Sequence, residues 1–145
     1  MSVEQVARDF VLNMNNIEKI KSMVTADAMA SGGVLPQPIP AMEAIKVTSG
    51  LITAFPDLKF DIEQVTVNGD QATVKAQWTG TQTGPLSLPV PGMPTVAPTG
   101  KKVTVKDTYV ITVQGDKASH LRVESPVDGG LPSALMQLGV KMPGK

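Results

Sequence analysis

The chain has 145 residues, 41% of them hydrophobic, enough for one ordinary domain to bury a core without staples. It contains no cysteine and a single histidine, which excludes disulfides and zinc clusters and leaves only carboxylates and His120 as possible metal ligands. Positive and negative side chains number 13 each with no basic run, and 3% of residues are aromatic, so the charge and stacking surface of a nucleic-acid binder are missing.

Glu4, Arg8 and Asp9 interrupt the N-terminus before an apolar run develops, and nowhere do about 18 apolar residues follow one another. The expectation is one cytoplasmic domain over residues 1–145, with neither membrane nor nucleic acid as partner.

Ser2 and Gln5 form a capping-box pattern, and Val3, Val6, Ala7, Phe10, Val11 and Met14 recur at helical spacing. Asn13, Asn15 and Asn16 break this helix, and Asn16 can cap a shorter one with Ile17, Ile20 and Val24 on its apolar side. Residues 30–40, with Gly32, Gly33, Pro36, Pro38 and Pro40, predict a loop. A third helix should follow Pro40, carry Met42, Ile45, Ile52 and Phe55 inward, and end at Phe55 because Pro56 disfavours a helical residue before it.

The period then changes from 3.6 to 2. Leu58, Phe60 and Ile62 share a face while Val65 and Val67 have the opposite parity, which requires a bulge or a change of face. Asn68-Gly69-Asp70 predicts a hairpin with two positive φ values, and residues 71–82 form the next strand, with Trp78 inward. Residues 84–100 contain too many prolines for a central strand, yet Leu86, Leu88, Val90, Met93 and Val96 are too apolar for a freely solvated loop. This segment should cover a cavity mouth or a second subunit.

Residues 101–113 are the longest alternating run, with Val103, Val105, Tyr109 and Ile111 on one face and Lys102, Thr104, Lys106 and Thr108 on the other. At about 3.4 Å per residue it would reach roughly 40 Å, which suggests the floor of a strongly curved sheet. Asp107 lies on its apolar face, where an unpaired carboxylate would take up a proton or a partner. A turn at Gln114-Gly115-Asp116-Lys117 leads to a strand over 118–125, ended by Pro126. Asp128-Gly129-Gly130 makes a bend, and Pro132, Leu131, Leu135 and Leu138 mark a short terminal helix. Three helices followed by four hairpin-connected strands give an α+β domain, an antiparallel sheet with helices on one face.

Four short stretches carry a resemblance: Ala54-Phe55-Pro56-Asp57-Leu58, Trp78-Thr79-Gly80-Thr81-Gln82-Thr83-Gly84, Pro98-Thr99-Gly100-Lys101 and Gln137-Leu138-Gly139. In this order they resemble the landmarks of SnoaL-like polyketide cyclases, in the superfamily of ketosteroid isomerase and the nuclear transport factor fold. The resemblance implies a cone-shaped sheet wrapped round N-terminal helices, a deep pocket and a homodimer built through the sheet's outer face. It also implies aldol ring closure by a carboxylate acid and base, with no metal and no cofactor, on a small apolar carbonyl compound. The family's aspartate stands near the end of the last strand, where Asp128 is either its displaced counterpart or a turn residue. The landmark that ends in Gly84 usually carries histidine where this chain has Gln82.

The candidate catalytic residues are Asp128, Asp107 and His120. Asp107 is either an acid or base of raised pKa or a structural residue bonded to a neighbour. His120, Arg122 and Glu124 form either a solvated face or, if their parity is the inward one, part of the pocket, with Arg122 and Glu124 paired. Phe55, Trp78, Gln82 and Tyr109 are the remaining candidates for contact with a ligand. The other reading is a pocket of the same fold that binds a small molecule, or serves assembly, without catalysis.

Overall fold

A computed structural model describes residues 2–32, 37–87, 95–125 and 130–139. Helix α1 (Val3–Leu12) starts in the predicted capping box: Gln5 N donates to Ser2 Oγ and Ser2 N to Gln5 Oε1, both at 3.1 Å. Its buried stripe, Val6, Ala7, Phe10 and Val11, packs across the strands Lys59–Asn68, Gln71–Thr81, Lys102–Gln114 and Lys117–Glu124. Each larger side chain there contributes about 1.5–3 kcal/mol by leaving water. Helix α2 (Ile17–Lys21) begins at Asn16, whose side chain accepts from Lys19 N at 3.2 Å.

The region read as the end of α2 and a loop is a strand, β1 (Val24–Gly32), followed by the short β2 (Ile39–Pro40). Val24 therefore leaves the helix and enters the sheet. With α3 (Ala41–Ala54), β3 (Lys59–Asn68), β4 (Gln71–Thr81), β5 (Lys102–Gln114), β6 (Lys117–Glu124) and α4 (Gly130–Gln137), the order across the single six-stranded sheet is β2-β1-β6-β5-β4-β3.

The fold is α+β as expected, but the sheet is mixed. The strands β3 to β6 are antiparallel, whereas β1 joins β6 in parallel. Alternation in β1 is weak, with only Val24, Ala28 and Ala30 buried, and alanine and aspartate are poor strand formers. It becomes a strand because β6 offers an open edge, a partner that local pattern cannot announce.

The parity change in β3 is a bulge between Ile62 and Gln64, and Pro56 follows α3 where it should. Met42 is exposed, not inward; Ile45 and Ala54 take the buried positions of α3. The Asn68-Gly69 hairpin uses one left-handed residue, not two: Gly69 has φ +64°, and among the described residues no non-glycine has positive φ. The two described ends of the proline-rich segment pair with each other, Leu86 and Val96 exchanging backbone hydrogen bonds at 2.9 Å, and both are buried in the core. Leu88, Val90 and Met93 lie outside the described residues. Among the described residues no helix is long and apolar enough to cross a membrane.

Two features prepare the site. Strand β6 pairs with β5 only as far as Thr108, opposite Glu124, so one edge of β5 is unpaired toward its start. There the Gln137 side chain of α4 acts as a strand residue would. It accepts from Thr104 N at 3.0 Å and donates to Thr104 O at 2.8 Å.

Gly32, at φ +80°, lies against the Val123 carbonyl, which a Cβ would strike. Gly32→Ala should cost on the order of 3 kcal/mol or more in denaturant unfolding, since left-handed strain and overpacking add. Gly69→Ala, at similar φ but facing open space, should cost only about 1 kcal/mol. Equal costs would mean that the β1–β6 contact is looser than described.

Candidate active site

The inner face of β5 carries Val103, Val105, Asp107, Tyr109, Ile111 and Val113, all buried. Asp107 is therefore inside because the strand's alternation puts it there. Opposite it on β4 is Ala76, small enough to leave room for a carboxyl group. Trp78, two residues on, has its indole N–H near enough to favour the ionised form of Asp107. On the other side β6 stops pairing after Glu124, and the next residue, Ser125, donates Oγ–H to Asp107 Oδ1 at 2.6 Å.

Asp107 is 8% exposed. Burial raises its pKa above the ordinary aspartate range, partly offset by the hydrogen bonds from Ser125 and Trp78, which favour the ionised form. No cationic group contributes among the described residues. Gly130, the first residue of α4, has φ +71° and approaches so closely that a Cβ would meet the Ser125 hydroxyl. Tyr109 is 5% exposed, and burial, then the neighbouring Asp107, pushes its pKa well above the ordinary phenol value. It stays a neutral hydroxyl able to donate.

Two edge-to-face aromatic pairs hold the surroundings. The Phe55 and Trp78 centroids are 5.6 Å apart at 63°, and those of Phe60 and Tyr109 are 6.4 Å apart at 65°. Such pairs contribute about 0.5–1.5 kcal/mol each beyond area burial. The structure thus brings Asp107, Trp78, Tyr109 and Phe55 together on one inner face.

The remaining candidates stand elsewhere. The β5–β6 register pairs Ile111 with Leu121 and Tyr109 with Val123, so the inward parity of β6 belongs to Leu121 and Val123. Of the two readings left open, Arg122 and Glu124 take the solvated one. Arg122 and Glu124 are exposed and paired with each other at 3.0 Å. The His120 Nε2 lies 2.9 Å from Ser31 Oγ, and the residue borders a hollow of about 40 Å³ between the helices and the β1–β6 side of the sheet. Phe10, Met14, Ile20 and Ile45 supply much of its apolar wall. Asp128 lies outside the described residues. No three of the described His, Cys, Asp or Glu side chains come together as metal ligands.

Gln82 is fully buried and occupied within the chain. Its Nε2 donates to Val96 O at 3.1 Å, and its Oε1 accepts from Thr99 Oγ1 at 2.8 Å and Thr99 N at 3.2 Å. Its backbone also bonds to Lys101 and Gly100. Other landmark residues join the same clasp. The Phe55 side chain fills the space that a side chain on Gly80 would need, Thr83 N and Gly84 N donate to Ala54 O, and Asp57 Oδ1 accepts from Thr81 N at 2.7 Å. That last bond lowers the Asp57 pKa.

Sequence reasoning missed Ser125 and Ser31. A serine before a proline at a strand end is a common stop signal, and its contact with Asp107, 18 residues earlier, depends on the path of the strand.

No curated protein matches the sequence. Several solved structures share the fold. AclR from Streptomyces galilaeus, a candidate hydroxylase, superposes with TM-score 0.76 at 17% identity, covering 94% of this chain and 84% of its own. A SnoaL-like candidate polyketide cyclase from Jannaschia gives 0.71 at 22% identity, covering 97% and 96%. IdmH from Streptomyces antibioticus, a candidate polyketide cyclase, gives 0.74 at 17% identity, covering 97% and 100%. The ketosteroid isomerase-like fold is common to this group. The SnoaL-like polyketide cyclase family model matches residues 3–123, and with a sheet, helices and clasp of the kind just described the chain belongs to that family.

Proposed function

We propose that the chain is a cyclase-type acid–base enzyme for a small apolar carbonyl compound, with Asp107 moving the proton. The supporting observation is a carboxyl group on the inner sheet face that is nearly sealed from water yet has no cation beside it among the described residues. Structural buried acids are usually paired with a base. One held instead by a hydroxyl and an indole, with a raised pKa, is poised to exchange its proton.

In the scheme, ionised Asp107 takes a proton from carbon beside a carbonyl. The enolate carbon attacks a second carbonyl of the same molecule, closing a carbon–carbon bond, and the alkoxide so formed takes the proton back from Asp107. Nothing is gained or lost overall. Tyr109 is the neutral donor for the enolate oxygen, and Phe55 and Trp78 supply apolar surroundings that keep the charge-bearing steps out of water. Isomerisation or hydration would use the same groups. His120 and Asp128 receive no step.

A second reading, binding without turnover, draws on the largely apolar hollow beside His120. Apolar ketones that raise the melting temperature without being converted would favour it. Assembly as a homodimer rests on the family resemblance. Light scattering at micromolar concentration should give twice the 15.2 kDa chain mass, and a monomeric mass would remove it.

Once a turnover assay exists, Asp107→Asn should lower the rate by about 10²–10⁴-fold, the usual span of acid–base catalysis, while the variant remains folded. An unchanged rate assigns the proton transfer to another group.

Stability offers an independent check. The folded pKa of Asp107 is raised, so its stabilising contribution is complete below the ordinary aspartate value and is lost as pH rises through the raised value. Asp107→Asn should therefore melt higher than the parent chain at neutral pH, with the advantage shrinking in acid. A constant difference across pH would show that Asp107 titrates normally.

A further inference from the structure

We propose that Ser125 is the positioning residue for Asp107, its hydroxyl keeping the carboxyl group in one place in both protonation states. This rests on the reading of Asp107 as the proton-transfer group. The geometry is a 2.6 Å contact between Ser125 Oγ and Asp107 Oδ1, formed where β6 leaves β5.

The chemistry of the two partners of Asp107 differs. The indole of Trp78 can only donate, so it favours the ionised carboxylate and cannot accept the hydrogen of the protonated one. A serine hydroxyl donates and accepts. When Asp107 is ionised, Ser125 donates to it; when Asp107 is protonated, the hydroxyl can rotate and accept the carboxyl hydrogen without either heavy atom moving. A group that must give and take a proton within one turnover needs such a partner, because a carboxyl that swings away between steps loses its alignment with the substrate.

Position also favours the role. Ser125 is exposed whereas Asp107 is buried, so the hydroxyl stands at the boundary between the carboxyl group and water. Gly130 packs against it from α4, and a side chain there would occupy the hydroxyl's place. The hydroxyl is therefore enclosed by the carboxyl group on one side and the first residue of α4 on the other. The neighbours that could confuse a titration are few. Among the described residues, β5 presents Tyr109, which stays neutral, β4 presents Ala76 and Trp78, and α4 presents Gly130, none of them charged.

The test is a carbon-13 NMR titration of the Asp107 carboxyl in the intact chain, with Ser125→Ala and Ser125→Thr beside the parent. The hydroxyl serves both states, but its bond to the charged carboxylate is the stronger, so its loss should move the Ser125→Ala midpoint to higher pH, and Ser125→Thr, which keeps a hydroxyl, should return it toward the parent value. An unchanged midpoint in Ser125→Ala would overturn the proposal, since water would then be doing the work of the hydroxyl. So would a midpoint in Ser125→Thr that stays with the alanine variant although the amide spectrum matches the parent. If Ser125→Ala does not fold, Gly130→Ala displaces the same hydroxyl from the other side and should raise the midpoint likewise; no rise there would also overturn it. The readout needs no substrate. Failure of the Asp107 reading, seen as Asp107→Asn with full activity, is thus separable from failure of the Ser125 contact, seen as an unmoved titration.

Discussion

The departure of β6 from β5 after Thr108 is the constraint on which the rest of the structure depends. The same register carried one step further sets Ser125 opposite Asp107, with the inward parity of Val123, and there its hydroxyl meets the carboxyl group. Beyond that point the departure of β6 opens an edge that Gln137 fills with two hydrogen bonds to Thr104. The register thereby brings a polar partner to a buried acid, and the break in pairing gives α4 its place of attachment. The cost of an unpaired strand edge is offset because every backbone group named there finds another partner.

The family landmarks prove to be concerned mainly with architecture. Phe55 occupies the space beside Gly80, Asp57 receives Thr81 N, the backbone of Thr83 and Gly84 reaches Ala54, and Gln82 ties Val96 and Thr99 to the end of β4. Together they fasten the end of α3 and the return of the proline-rich segment to one end of the sheet. A glutamine suits the buried position of Gln82 because its amide both donates and accepts, and the structure uses both functions. The motifs thus identify the family by its fold, while the chemistry is to be sought on the inner face of β5.

Two aspartates show how placement sets charge. Asp57 sits at a helix-to-strand junction where a backbone N–H favours its ionised form, so its pKa falls; its contribution to stability is present above the ordinary aspartate value and is lost as pH drops through the lowered one. Asp107 moves the other way because burial outweighs its two donors. The same residue type therefore favours its ionised form in one place and its protonated form in the other.

The sequence by itself determined the elements whose signals are local. The capping box of α1, the proline after α3, the bulge in β3 and the inward place of Asp107 all follow from neighbours within a few residues. Family membership was legible too, because its landmarks are contiguous stretches. Tertiary structure decided what depends on distant partners. The strand β1 exists through its parallel pairing with β6, and the β5–β6 register sets both the face of Arg122 and Glu124 and the meeting of Ser125 with Asp107. A one-residue shift of register reverses every side chain of a strand, and no pattern within β6 states which register its neighbours will impose.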